Sequence, residues 1–177
     1  MKIITVLLAS IFLLNACQSE QNKADYVEFY PISIANLVKN ELEKVVSVKD
    51  SASKTVIYKN TKIEQKTIAY SDVENDLKSF IEFDINKTAW QKSYQQKIIG
   101  NKTLFIGIED KLPLKYLEII GDLKNPERVR IYFQNTNNLY QSIKLIDWCP
   151  SKSYSIFSIQ DVKGMSADTL FIKTYLR

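Results

Sequence analysis

The chain has 177 residues, which favours one domain, and its 45% hydrophobic and 25% charged residues are typical of globular proteins. Its net charge of +4 is spread along the chain and forms no basic stripe, so we expect no nucleic-acid partner. The chain has no histidine and only two cysteines, which excludes histidine-based catalysis and zinc sites built from these residues, and we expect no metal, no cofactor and no enzymatic activity.

Residues 1–16 predict a lipoprotein signal peptide. Lys2 supplies the positive start, and the apolar run Ile3–Leu14 is shorter than the roughly 20 residues that a membrane-spanning helix needs. The segment Leu14-Asn15-Ala16-Cys17 resembles the lipobox of bacterial lipoproteins. This resemblance implies cleavage before Cys17 and acyl chains such as palmitate on that cysteine, which would hold the protein on a membrane. Gln18, where aspartate would imply inner-membrane retention, implies the outer membrane and leaves open whether the protein faces the periplasm or the exterior.

Residues 17–30 are expected to be the lipidated cysteine and a tether, and residues 31–177 a single domain. Apolar residues at helical spacing after Pro31 predict an amphipathic helix over residues 32–49. Two short strands, 55–58 and 63–68, are expected around a turn. Ser71 and Glu74 have the spacing of a capping box, which predicts a second helix that ends near Asp84.

From Ser93 onward the apolar residues follow period two, which predicts strands joined by short turns. Short connections favour antiparallel pairing between neighbours along the chain. The predicted strands cover residues 93–99, 102–109, 115–120, 127–134, 138–147, 153–161 and 168–176. The predicted fold is therefore α+β, with two N-terminal helices packed on a curved antiparallel β-meander of about six or seven strands.

The strands differ in how strictly apolar and polar residues alternate. In one strand Val129, Ile131 and Phe133 are expected to point inward and Arg128 and Arg130 outward. Other strands are apolar on both faces, as where Phe105 stands between Leu104 and Ile106, and Leu145 precedes Ile146. Such a sheet could cover a cavity or meet another surface. We expect instead that the helices and the rim of a curled sheet cover the second face.

Two segments carry a resemblance to a known group of proteins. Phe80-Ile81-Glu82-Phe83-Asp84-Ile85-Asn86-Lys87-Thr88-Ala89-Trp90 and Asn138-Leu139-Tyr140-Gln141-Ser142 are similar to segments of uncharacterised small lipoproteins of the Bacteroidetes. The similarity covers about residues 70–177. It implies a setting in the cell envelope and implies no particular chemistry.

The chain has ten tyrosines, an unusual number, and several lie on predicted strands. Tyr132, Tyr140 and Tyr154 are the candidate contact residues for a partner or ligand, because exposed aromatic side chains suit such contacts. Strands also favour tyrosine for structural reasons alone.

Two further segments have polar or reactive side chains. Asp84, Asn86 and Lys87 follow the second predicted helix and could contact a ligand or cation, but we expect them to cap the helix end and form a turn. Cys149 is expected to be a buried small hydrophobic residue, since the chain has no histidine to activate its thiol.

Three functional hypotheses follow. The leading one is a non-enzymatic binding or accessory module at the outer membrane that recognises another envelope protein. The second is a carrier that holds a lipid or other apolar ligand between the curved sheet and the helices. The third is a hydrolase that uses carboxylates alone, which requires two close carboxyl groups in a deep cleft.

Overall fold

The computed structural model describes residues 30–46, 51–90 and 92–176. Helix α1 covers Ile34–Val46 and helix α2 covers Tyr70–Ser79, and short 3-10 turns follow at Phe80–Phe83 and Thr88–Trp90. The strands are β1 Ser51–Tyr58, β2 Lys62–Ala69, β3 Tyr94–Ile99, β4 Lys102–Gly107, β5 Leu114–Gly121, β6 Pro126–Thr136, β7 Tyr140–Cys149, β8 Ser153–Val162 and β9 Asp168–Leu176.

All these strands belong to one antiparallel sheet with the order β2-β1-β9-β8-β7-β6-β5-β4-β3. Strands β3 to β9 form the predicted meander, in which each strand pairs with its neighbour along the chain. The β1–β2 hairpin joins the same sheet because β1 pairs with β9, with Val56 opposite Ile172. Strands β2 and β3 therefore form the two edges.

The α+β class is confirmed, but two details of the predicted fold are wrong. The sheet has nine strands and not six or seven, because the N-terminal hairpin extends the meander. The predicted arrangement of two N-terminal helices followed by the sheet does not match, because the hairpin expected between the helices is itself part of the sheet. The domain is consequently mostly sheet.

Helix α2 starts without the predicted capping box. Strand β2 runs directly into the helix, whose N-cap is Ala69 in an extended conformation with no side-chain capping hydrogen bond. Ser71 lies inside the first turn, two positions too late to be the N-cap. The capping-box prediction is therefore wrong, because the end of a sheet strand fixes where this helix begins.

Helix α1 is capped by a residue from a distant part of the chain. The carboxylate of Asp84 accepts hydrogen bonds from the Ser33 hydroxyl at 2.8 Å and from the Ala35 N–H at 2.9 Å. Its second oxygen accepts from the Asn86 N–H at 2.9 Å. Asp84 is 8% exposed, so these bonds replace those it would make with water.

The neighbouring Asn86 holds the chain just before α1. Its Oδ1 accepts from the Tyr30 N–H at 2.9 Å, and its Nδ2 donates to the Ile32 carbonyl. Lys87 donates to the Glu82 carbonyl and lies over the Trp90 ring at 4.6 Å from the centroid. The polar cluster is thus structural, as expected, but it fixes the start of α1 in addition to its own turn.

Both helical segments pack on one face of the sheet, which we call the helix face and which carries Val129, Ile131, Trp148 and Tyr154. The Phe80 ring lies 5.8 Å from the centroids of both Trp148 and Tyr154. The predicted inward side of β6 is confirmed, since Val129 and Ile131 are 0% and 1% exposed.

A buried polar contact ties α2 to this face. Asp76 Oδ2 accepts hydrogen bonds from Lys54 Nζ at 2.7 Å and from the Tyr154 hydroxyl at 2.6 Å. Burial, with the bond to Asp76 as a second cause, raises the pKa of Tyr154 above its usual value. The phenol is therefore neutral and acts as a structural hydrogen-bond donor between β8 and α2.

Candidate functional site

The other face of the sheet, which we call the open face, has an uninterrupted line of apolar side chains. The strand register places one such side chain from each of eight neighbouring strands side by side. The line, called here the apolar row, consists of Ile106, Tyr116, Tyr132, Leu145, Phe157, Phe171, Ile57 and Ile63. With strands about 4.8 Å apart, the row is about 34 Å long.

The apolar row is accessible to solvent in the part of the chain that the structure describes. Ile106 is 43% exposed, Leu145 is 39% exposed and Ile63 is 66% exposed, while the aromatic members are half-buried against one another. The expectation that the helices cover the second face is wrong, because contacts with Trp148 and Tyr154 hold them on the helix face. An exposed apolar surface of this length is typical of a binding site.

A row of charged side chains runs beside the apolar row. Arg130 Nη1 donates to Glu118 Oε1 at 2.9 Å, and Arg128 Nε donates to Asp147 Oδ1 at 2.6 Å. The hydrogen bond with Asp147 raises the pKa of Arg128, so its charge is fixed at any physiological pH. The two arginines and the two carboxylates pair with each other, which gives the apolar row a polar border.

A shallow cavity lies where the two rows meet near β4, β5 and β6. Its volume is about 240 Å³, and Leu104, Ile106 and Tyr116 supply most of its apolar wall. Arg130, Glu118 and Lys115 form the polar side. The Tyr116 and Tyr132 rings lie 5.6 Å apart between centroids. The open face therefore has a recess that an apolar side chain of a partner could fill.

The three candidate tyrosines do not lie on one surface. Tyr132 belongs to the apolar row on the open face. Tyr140 is 39% exposed, and it lies an even number of residues before Trp148 in β7. Its side chain is therefore on the helix face, near the end of the sheet. Tyr154 is 1% exposed, so its candidacy as a contact residue is wrong: its ring packs on Phe80 in the core.

Several members of the apolar row could not be identified as a site from the sequence. Phe157, Phe171 and Ile57 are ordinary strand residues when each strand is considered alone. The sequence signal was the presence of strands that are apolar on both faces. Strands that are apolar on both faces indicate that the sheet has a second apolar face. Only the register between the strands shows that these side chains lie next to one another.

Cys149 differs from expectation, because it is half-buried on the open face and not fully buried. It borders a second surface cavity of about 510 Å³ together with Arg128, Ile120 and Pro150. Cys17, the predicted lipidation site, lies outside the described residues.

Three carboxylates in the described residues, those of Glu41, Asp76 and Asp84, serve the fold. Glu41 is 2% exposed, and its carboxylate accepts hydrogen bonds from the Ser151 N–H and, at 3.0 Å, from the Ser151 hydroxyl. Asp84 caps α1 and Asp76 binds Lys54. These groups are therefore held by partners within the protein and supply no close pair of free carboxyl groups for hydrolysis.

Within residues 30–46, 51–90 and 92–176 no helix has the length and apolar character needed to cross a membrane. The same residues contain no group of three or more cysteine, aspartate and glutamate side chains placed to hold a metal ion. Comparison of the chain with protein-family models, with curated proteins and with solved structures gives no match.

Proposed function

We propose that the protein is a non-enzymatic binding module of the cell envelope, anchored at the outer membrane through Cys17, and that its open face binds another envelope protein. The observation that supports this proposal most is the apolar row, which crosses eight strands and has no helix over it among the described residues. The resemblance of the lipobox and of the two quoted segments to bacterial lipoproteins supports the setting.

The composition of the open face suits a protein partner. Aromatic residues and arginine are enriched in protein interfaces, where an apolar centre has a polar rim. The aromatic and aliphatic members of the apolar row would form that centre, and Arg128, Arg130, Glu118 and Asp147 would form part of the rim. A row about 34 Å long, with the side chains that flank it, is long enough to form the centre of an interface that buries about 800 Å² per partner.

The alternative of an apolar-ligand carrier receives less support. Such a carrier needs space between the sheet and the helices. In the described residues this region is filled by Phe80, Trp148 and Tyr154, which are 0%, 0% and 1% exposed. Ring contacts between Phe83 and Phe133 at 5.3 Å fill the region beside them.

The anchor is tested by replacing Cys17 with serine. We expect the wild-type protein to remain in the membrane fraction and to incorporate labelled palmitate in cells, because two or more acyl chains hold a protein stably. The Cys17→Ser variant should lose the label and leave the washed membrane fraction. Cys149→Ser is the matched control and should behave like the wild type. Label that remains in the Cys17→Ser variant would contradict the anchor.

The open face is tested with a photo-crosslinking amino acid placed at one of two positions in β7. Leu145 is on the open face and Tyr140 is on the helix face, and both are 39% exposed. In cells that make the protein, we expect the probe at Leu145 to give a discrete crosslinked product and the probe at Tyr140 to give none. Addition of Phe171→Lys to the Leu145 probe should remove the product, because a charge would interrupt the apolar row. Equal products from both probes, or a product from Tyr140 alone, would overturn the proposal.

A further inference from the structure

The free edge of β3 is the second unusual surface of the described chain. Strand β3 is the last strand of the sheet and pairs with β4 alone. The Ile108 N–H donates to the Ser93 carbonyl, so Ser93 and every second residue after it bond toward β4. The N–H and C=O groups of Tyr94, Gln96 and Ile98 therefore point to the free side of the strand. An edge of this kind is a template for another strand.

One end of this edge is already closed by a side chain. The Tyr30 hydroxyl accepts from the Tyr94 N–H at 2.7 Å and donates to the Tyr94 carbonyl at 2.9 Å. The Tyr30 ring packs against Phe105 with centroids 5.7 Å apart. Gln96 and Ile98 lie beyond the reach of this closure, so within the described residues their free-side peptide groups remain for an incoming chain.

The side chains beside this open part of the edge are apolar. Ile98 is 67% exposed and Ile99 is 51% exposed, and they point to opposite faces of the sheet. An added strand could pack alternate apolar side chains against each of them. The edge thus offers both main-chain hydrogen bonds and apolar contacts.

Strands β3 and β4 contain lysine and no aspartate or glutamate. Between residues 85 and 108 the chain has four lysines and no aspartate or glutamate; the lysines are Lys87, Lys92, Lys97 and Lys102. Lys97 lies in β3 itself, and Lys102 lies in β4 opposite Ile99. The other edge strand, β2, has lysines together with Glu64, which forms an ion pair with Lys66 at 3.9 Å and lowers the net positive charge of that edge. Charge complementarity therefore selects β3 and an acidic partner.

We infer that the free edge of β3 binds an extended acidic segment of another protein by adding it to the sheet as a further strand. Main-chain bonds would form at Gln96 and Ile98, with acidic residues near Lys97 and Lys102 and apolar residues near Ile98 and Ile99. This inference rests on the proposed function as a protein-binding module and adds how one segment of the partner is held. The apolar row ends at β4, so an added strand would lie on the far side of β3, one strand away from the end of the row.

The test uses the full chain purified in detergent and a labelled peptide in which glutamate alternates with valine. We expect this peptide to bind and to protect the Gln96 and Ile98 amides from hydrogen exchange. A peptide with lysine in place of glutamate, and a peptide with the same charges but N-methylated at every residue, should bind at least about tenfold more weakly. The Lys97→Glu variant should also weaken binding about tenfold, while Lys66→Glu on β2 is the matched control and should leave it unchanged.

Three results would overturn the inference: no binding of the acidic peptide, equal binding of the N-methylated peptide, or protection of β2 and not β3. The N-methylated peptide separates strand addition from simple charge attraction, because it retains the charges and lacks the main-chain donors. The experiment is independent of the Leu145 crosslink. If the acidic peptide does not bind but the Leu145 probe still gives its crosslink, only the inference about the edge of β3 is rejected. If the crosslink is absent but the peptide binds, only the proposal for the open face is rejected.

Discussion

Replacing Asp84 by alanine is expected to lower the free energy of unfolding by about 3 kcal/mol. The change removes the cap of α1, which costs about 1 kcal/mol, and leaves the Ala35 and Asn86 N–H groups without their acceptor in a buried place. The start of α1 lies against the core through Ile34, which is 0% exposed, so fraying there would also loosen packing. Denaturant unfolding followed by tryptophan fluorescence measures the loss.

Asp122→Ala is the matched control for this prediction. Asp122 also accepts two main-chain hydrogen bonds, from Lys124 and Asn125 at 2.9 Å, but these are local and exposed. We expect Asp122→Ala to lower the free energy of unfolding by about 0.5 kcal/mol. If both variants lost the same stability, the distant cap would not contribute as the geometry indicates.

The second large effect is expected from Phe105→Ala, which should lower the free energy of unfolding by about 3–5 kcal/mol. Phe105 is 0% exposed on the helix face and contacts the Tyr30 ring, so its removal leaves a cavity in the core. The next residue, Ile106, is 43% exposed on the open face. Ile106→Ala should cost less than about 1 kcal/mol in the purified protein, since little buried surface is lost.

This pair of variants also tests whether the open face is uncovered. Both positions lie on β4 and differ in the face to which they point. A loss for Ile106→Ala as large as that for Phe105→Ala would mean that the apolar row is covered in the isolated protein. Thermal and denaturant unfolding of both variants under the same conditions would decide between these results.

The local parts of the fold could be predicted from the sequence. Strand β6 alternates between Val129 and Arg130 because one side is buried and the other is not, and the segments predicted from residue 93 onward correspond to β3 to β9. Helix α1 was found from its apolar spacing. These signals are local, since each depends on residues within one element.

The parts that failed depend on contacts between distant residues. The cap of α1 comes from Asp84, which has no sequence relation to Ser33. Ser71 has the local pattern of a cap, but the preceding strand overrides it. The apolar row likewise needs the register between strands, and the pairing of Ile57 with Phe171 has no local signal.

The position of β9 has a consequence for how the chain folds. Strand β9, the last of the described strands along the chain, lies inside the sheet between β1 and β8, so the β1–β2 hairpin has no place in the sheet until β9 has been made. Contacts between sequence-distant strands slow folding, because the loop must close before they form. A chain stopped before Asp168 would leave β1 and β8 with bare edges, which is the state most prone to aggregation. Completion of this sheet must therefore wait until β9 has been made.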